Sequence, residues 1–191
     1  MWLERARTLV GSGAPFGHHT HWTSPTHARP TGGDPGTRVA GEAEWLRTNG
    51  LAPDLFCGGG WYTDIGVAEA CAAAGYTDCT PRTTRPGYLA QDEKWAQLDA
   101  PAVVGLPSGV ELLALPTTHS IGDALRDAVR PGLPPRMHVY LHDTDLVAPR
   151  RRRLVYLTLH LLGLRRKGSD LAALAAGGGS TRRAWEDIAR P

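Results

Sequence analysis

The chain has few cysteines, and their spacing is not that of a disulfide-bonded or zinc-binding domain. Its 191 residues include three cysteines, Cys57, Cys71 and Cys79, with no CxxC pair among them. An odd number without paired spacing argues against a disulfide scaffold and against a structural zinc knuckle. The sequence therefore predicts three reduced, half-buried thiols.

The chain also lacks an excess of charge and a long apolar run. Its formal net charge is +2, and its arginines follow no nucleic-acid reading motif, so no nucleic-acid partner is indicated. The longest apolar stretch, residues 154–164, is shorter than the roughly 20 residues that cross a bilayer. Residues 1–10 have the pattern of a charged helix rather than that of a signal peptide. We therefore expect no membrane span and, for the chain as written, a cytoplasmic location.

The hydrophobic content, by contrast, is that of a folded domain. Hydrophobic residues make up 41% of the chain, and this length is enough to bury a core. We expect one domain over residues 1–176 and a flexible tail over residues 177–191. No prediction about the oligomeric state follows from the sequence.

Apolar runs alternate with helical patterns along most of the chain. The expected strands are residues 16–21, 53–57, 76–80, 110–115 and 137–141. The expected helices are residues 2–10, 38–48, 65–74, 121–129, 149–164 and 171–175. Residues 81–100 are expected to be irregular and on the surface. This alternation predicts βαβ units and a mostly parallel α/β sheet, which places ligands at the carboxyl ends of its strands.

Two histidines fall at the end of the first predicted strand. His19 and His21 are two residues apart, so their side chains point to one face of the strand, whereas His18 points to the other and is expected to be structural. Neutral imidazole is a good zinc ligand, and a His-x-His pair can chelate one ion. The alternative is one structural and one surface histidine.

Another histidine, His142, follows the apolar residues 139–141. Packing alone explains a histidine at the end of a buried strand poorly. Nearby carboxylates, Asp143 and Asp145, can raise its pKa, which suits a general acid. We therefore expect His19, His21 and His142 to surround one cavity at the carboxyl ends of parallel strands.

An aromatic pair, Trp61 and Tyr62, follows three consecutive glycines. Glycines let the backbone turn sharply and approach a ligand closely. Exposed aromatic rings beside such a turn would suit stacking on a sugar ring. The alternative is that the two rings form a hydrophobic plug under the loop.

Taken in order, these blocks resemble the polysaccharide deacetylase family, which has the NodB-homology fold. In that family a histidine followed by Ser or Thr ligates zinc, and His19-Thr20 matches. The family's second histidine, four residues further on, is replaced here by Thr23, so His21 is the candidate substitute. Cys57 stands where the family's groove motif has arginine. The family's late Leu-His motif, whose histidine acts as the acid, matches Leu141-His142.

The resemblance implies a distorted (β/α) barrel and a hydrolase that acts on carbon–nitrogen bonds other than peptide bonds. A divalent metal, zinc by resemblance, would be held by His19 and His21 and would assist hydrolysis of N-acetyl or related amide groups. His142 would be the catalytic acid. Trp61, Tyr62 and Leu141 would contact the substrate, a carbohydrate or another N-acylated small molecule.

One part of the family pattern is missing. The family's first motif ends in paired aspartates, a general base and a metal ligand, but no aspartate precedes Asp34. The sequence therefore predicts a truncated or degenerate member whose barrel is incomplete beside the strand that carries His19. Weak zinc binding and little activity are expected from this chain alone. The alternatives are a non-catalytic carbohydrate-binding relative and a fragment with an exposed sheet edge.

Overall fold

The computed structural model describes residues 1–14, 16–22, 30–86, 89, 91, 94–120 and 137–140. The chain divides into two compact units, Met1–Thr117 and Thr118–Pro191. Each unit contains one of the two sheets that the described strands form.

The first unit is a mixed α/β structure. Its helices are α1 (Trp2–Gly11), α2 (Pro35–Thr48) and α3 (Ile65–Ala74). Its strands are β1 (Gly17–Thr20), β2 (Leu55–Gly58), β3 (Thr77–Asp78), β4 (Ala102–Gly105) and β5 (Glu111–Ala114). A short 3-10 turn, Gly59–Trp61, follows β2 directly.

The five strands form one sheet in the order β1-β2-β3-β5-β4. Four of them are parallel, and β4 pairs antiparallel with β5. Successive parallel strands are neighbours, and α2 and α3 pack on each other against the same core. The predicted mostly parallel α/β sheet is therefore confirmed. Among the described residues the sheet is open rather than closed into a barrel, and β1 stands at one end of the strand order.

Helix ends follow the local sequence closely. Asp34 caps α2 by accepting the Thr37 backbone N–H at 2.7 Å, and Pro35 occupies the first helical turn. Asp64 caps α3 in the same way, and Gly75 ends that helix in the left-handed conformation with φ of 74°. A side-chain cap satisfies a backbone N–H that has no partner within the helix. For this reason α3 has the bounds that the sequence predicted.

The core lies between the sheet and α2 and α3. Its members are mostly apolar side chains from the strands and the two helices: Trp22, Val39, Ala43, Phe56, Tyr62, Val67, Cys71, Tyr76, Leu89, Leu106 and Leu112. Alternate residues of β1 are buried, so His18 and Thr20 face this core while His19 faces away from it. The side-chain period of two along a strand sets this division.

Residues 81–105 differ from the prediction. Arg82 and Leu89 are buried, although residues 81–100 were expected on the surface. The strand β4 was not predicted, and it forms a hairpin with β5 in which Gly109 has φ of 83°. The sequence signal was weak because β4 lies at the sheet edge, where Val103 and Val104 remain exposed.

The second unit is described for residues 118–120 and 137–140. Here β6 (His119–Ser120) pairs in parallel with β7 (Val139–Tyr140). Of the strand predicted over residues 137–141, the described part shows Val139–Tyr140 as strand, and residues 137–140 are half-buried rather than buried. The helices predicted over residues 121–129, 149–164 and 171–175 and the tail over 177–191 lie outside the described residues.

In the parts of the chain that the structure describes, no helix has both the length and the apolar character needed to cross a membrane.

Candidate functional site

A groove of about 310 Å³ lies beside the carboxyl end of β1. It is lined from two elements, the end of β1 and one side of α2. Its lining residues are His18, His19, His21, Arg38, Glu42, Trp45 and Leu46. The groove thus brings three of the chain's histidines together with one ion pair and one tryptophan.

His19 and His21 form the exposed part of this site. Both side chains are exposed, and their rings meet edge to face with centroids 4.8 Å apart. This contact confirms that the two histidines share one face of the strand. His19 also lies beside Cys57 in the register of β1 and β2.

The spacing of the two imidazoles is compatible with one shared metal ion. Two imidazoles on one tetrahedral zinc, each with Zn–N of about 2.0–2.1 Å, have ring centroids roughly 5 Å apart. The number of protein ligands agrees less well with a zinc site than the spacing does. Catalytic zinc usually has three protein ligands, whereas the described residues contain no group of three or more His, Cys, Asp or Glu side chains arranged to hold a metal. The described residues by themselves therefore do not supply the ligand set of a catalytic zinc.

His18 faces the core and anchors the end of β1 to α2. Its Nε2 donates to Glu42 Oε2 at 3.0 Å, and Thr20 Oγ1 donates to the same oxygen at 2.8 Å. Arg38 Nε donates to the other carboxylate oxygen of Glu42 at 3.0 Å. Because a carboxylate only accepts hydrogen bonds, Nε2 of His18 carries the proton in this pair. The structural role expected for His18 is confirmed.

Glu42 is held as a carboxylate by this network. Burial alone would raise its pKa, but the hydrogen bonds from His18, Thr20 and Arg38 outweigh burial and lower the pKa. The side chain of Glu42 is 36% exposed and remains at the groove surface. The groove therefore contains an anchored anion and its guanidinium partner, Arg38.

Sequence reasoning missed the groove residues of α2, namely Arg38, Glu42 and Trp45. Their only local signal is the i, i+4 spacing of Arg38 and Glu42, which occurs on many solvent-exposed helix faces. Which face of α2 meets β1 is decided by the packing of α2 on α3 and the sheet. That packing is set by contacts that are distant in sequence.

Trp61 and Tyr62 are not exposed beside the glycine turn. They are 8% and 6% exposed, and Tyr62 packs edge to face on Trp22. The hydroxyl of Tyr62 donates to Asp64 Oδ2 at 2.6 Å, directly beside the cap of α3. The alternative interpretation, a plug under the loop, therefore describes these two side chains.

The backbone of this turn is tightly constrained. Trp61 has φ of 69°, in the left-handed region that non-glycine residues rarely adopt. Its ring lies 4.5 Å from the guanidinium carbon of buried Arg82, at cation–π distance. Such backbone conformations persist when the surrounding structure fixes them. Here the fixing contact comes from the segment that follows β3.

The three cysteines are free, as the sequence predicts, and Cys57 is half-buried while Cys71 and Cys79 are buried. Burial raises the pKa of the Cys57 thiol to about 12 and that of the Cys79 thiol to about 11. Burial also raises the pKa of Cys71. All three thiols are therefore protonated near neutral pH and are poor nucleophiles or metal ligands in this state.

His142 and Leu141, the predicted acid and its neighbour, lie outside the described residues. The shared cavity predicted for His19, His21 and His142 thus stays a prediction. Of the predicted site residues, the structure brings His19 and His21 together in the groove and places Trp61 and Tyr62 in the interior.

Fold and site together define a mixed α/β chain, with a mostly parallel sheet and a histidine-lined groove at its edge strand. No protein-family model, curated protein or solved structure matches this chain.

Proposed function

We propose that this chain is a hydrolase of the polysaccharide deacetylase type, which cleaves N-acetyl or related amide groups on carbohydrate with the help of a divalent metal. The observation that supports this best is the His19–His21 pair. The two imidazoles are exposed, adjacent and placed beside a groove at the carboxyl end of a parallel strand. That end of a parallel α/β sheet is where such folds bind ligands.

The order of the strands in the sheet supports a more specific fold, a distorted barrel of the NodB type. Strands β1, β2, β3 and β5 follow one another in order and in parallel. The connecting helices α2 and α3 pack on each other. Sequential winding with neighbouring helices is the arrangement of (β/α) barrels.

The proposed mechanism assigns metal binding, proton donation and substrate contact to individual residues. His19 and His21 would hold the metal, zinc by resemblance, which when bound would polarise the acyl carbonyl. His142 would protonate the leaving amine. Leu141 would line the substrate site, whereas buried Trp61 and Tyr62 would support the neighbouring loop from below.

The metal site is tested first, by calorimetric zinc titration of the purified chain. We expect weak, saturable binding that falls at least tenfold in His19→Ala and in His21→Ala, because two imidazoles without a carboxylate leave the ion under-liganded. His138→Ala, which changes a histidine outside the groove, is the matched control. Tight zinc binding that His19→Ala leaves unchanged would place the ligands elsewhere.

Catalysis is tested by acetate release from an N-acetylated chito-oligosaccharide. We expect acetate release near background from this chain and clear release from a version extended at its N-terminus by a strand that carries paired aspartates. In the extended protein, His142→Ala should lower the release on the order of 10²-fold, the usual effect of losing a positioned proton donor. Equal acetate release by this chain, the extended protein and its His142→Ala variant would reject the mechanism.

A non-catalytic carbohydrate-binding protein is the second candidate. The observation that favours it is the incomplete ligand set, since the described part of the chain contains no group of three metal-ligating side chains. Saturable oligosaccharide binding without acetate release, with or without added zinc, would favour this function over hydrolysis.

A further inference from the structure

Two tryptophans are exposed next to the groove, although the predicted aromatic pair Trp61 and Tyr62 is buried. Trp2 is 64% exposed and Trp45 is 47% exposed. Their rings stack with centroids 6.1 Å apart and planes 22° apart. Trp45 lines the groove, and Trp2, from α1, lies against Trp45. A stacked aromatic surface that is left exposed beside a concave site is typical of a ligand contact.

The charges of the groove restrict what this surface can bind. Arg38 and Glu42 face each other as an ion pair, with Arg38 Nε and Glu42 Oε1 3.0 Å apart. The charge of the guanidinium is thus balanced by its partner, which makes Arg38 a weaker site for phosphate or another polyanion than an unpaired arginine would be. The remaining hydrogen-bonding capacity, several guanidinium N–H donors and a carboxylate acceptor, suits a neutral ligand rich in hydroxyl groups.

We propose that Trp45, which stacks on Trp2, is a stacking platform for a pyranose ring of a carbohydrate bound in the groove. The choice of carbohydrate as the ligand class rests on the proposed function. One face of a pyranose carries C–H groups that pack on an indole face, while the ring hydroxyls at its edge reach Arg38 and Glu42. The Trp2 contact holds the Trp45 ring in place before the ligand binds, which reduces the entropy lost on binding.

The size of the groove agrees with this ligand. Its volume of about 310 Å³ lies at the lower end of the range of about 300–1,000 Å³ for small-molecule sites. A groove of this size accommodates a short section of an oligosaccharide, with the rest of the chain in solvent. The platform therefore belongs to a subsite beside His19 and His21.

The platform is tested by NMR titration of the indole N–H signals with two probes, tetra-N-acetylchitotetraose and cellotetraose. We expect saturable shifts of the Trp2 and Trp45 signals with at least one probe. Trp45→Ala should weaken that binding about tenfold or more, the size of a lost aromatic contact. Trp45→Phe should retain most of the affinity. Leu9→Ala removes a similarly exposed apolar side chain from α1 and is the matched control.

Three results would overturn the platform. The first is that neither probe binds saturably, and the second is that Trp45→Ala leaves the binding unchanged. The third is that the Trp45 site prefers an aromatic nucleotide such as AMP to both oligosaccharides. The His19→Ala variant distinguishes a failure of the carbohydrate platform from a failure of the proposed hydrolase function. If the variant loses zinc but still binds the oligosaccharide through Trp45, the platform stands independently of the metal site. If zinc binding never depends on His19 while Trp45→Ala loses the oligosaccharide, only the metal mechanism fails.

Discussion

The groove beside β1 and the glycine turn after β2 lie at the carboxyl ends of neighbouring parallel strands, but their aromatic side chains differ in exposure to solvent. Trp45 and Trp2 are exposed at the groove, whereas Trp61 and Tyr62 are buried at the turn. The sequence signal was similar in the two regions, His19 and His21 at the end of β1 and Trp61 and Tyr62 after β2, whereas Trp45 and Trp2 lie in helices and carried no such signal. The difference shows that such a signal predicts a position along the strand better than it predicts exposure.

The cause of the difference is the number of neighbours around each region. The turn after β2 lies inside the sheet, between β1 and β3, and is covered by Trp22 and Arg82. The groove follows β1, which in the described part of the sheet pairs with β2 alone. A central strand end is covered from both sides, while an edge strand leaves its last residues open to a ligand.

The largest expected effect is a difference between the turn and the groove in how much a tryptophan substitution lowers the stability of the fold. Trp61→Ala should lower the free energy of unfolding by about 3–5 kcal/mol, because a buried indole is replaced by a cavity. Trp45→Ala should lower it by less than about 1.5 kcal/mol, because the half-exposed ring loses mainly its contact with Trp2. Urea denaturation followed by circular dichroism measures both. Equal losses in the two variants would remove the distinction between turn and groove.

The next effect tests how tightly the turn is packed. A Cβ at Gly58 would collide with the backbone carbonyl oxygen of Tyr62 and press on Thr80 Cγ2. Gly58→Ala should therefore destabilise the fold by about 1–3 kcal/mol, the usual range for overpacking. Gly41→Ala, in α2, meets nothing within 4 Å and should be neutral or stabilising by up to about 1 kcal/mol. Urea denaturation measures both variants, and a Gly58→Ala variant as stable as the wild type would show that the turn can move.

The smallest effect concerns the anchor of the groove. Glu42→Gln should cost on the order of 1 kcal/mol at pH 7, since Glu42 accepts three hydrogen bonds but is partly screened by solvent. The pKa of Glu42 is lowered in the folded state from its ordinary value of 4.5. Its contribution is therefore complete above that value and is lost as the pH falls below it.

Denaturation curves of the wild type and Glu42→Gln between pH 7 and pH 3 provide the measurement. The stability difference between them should shrink as the pH falls through this range. Glu44→Gln, also in α2 but with a side chain that is 71% exposed, is the matched control and should change little at any pH. A difference for Glu42→Gln that stays constant down to pH 3 would contradict the ionised anchor.

Several features of the fold could be predicted because their causes are local. The Asp64 cap and Gly75 set the bounds of α3, and the alternation of side chains along β1 separates His18 from His19 and His21. The alternation of strands and helices gave the parallel α/β sheet. The caps and the division of faces along β1 depend on contacts within a few residues, which the sequence states directly.

Other features could not be read from the chain because distant segments decide them. The hairpin of β4 and β5, the burial of Arg82 under Trp61 and the meeting of α2 with β1 all join residues far apart in sequence. The sequence by itself determined the bounds of α3, the end of α2 at Thr48, the division of faces along β1 and the presence of a histidine pair. Only the tertiary structure decided that Glu42 and Trp45 share a groove with that pair while Trp61 and Tyr62 are buried, because exposure depends on which elements cover a strand end.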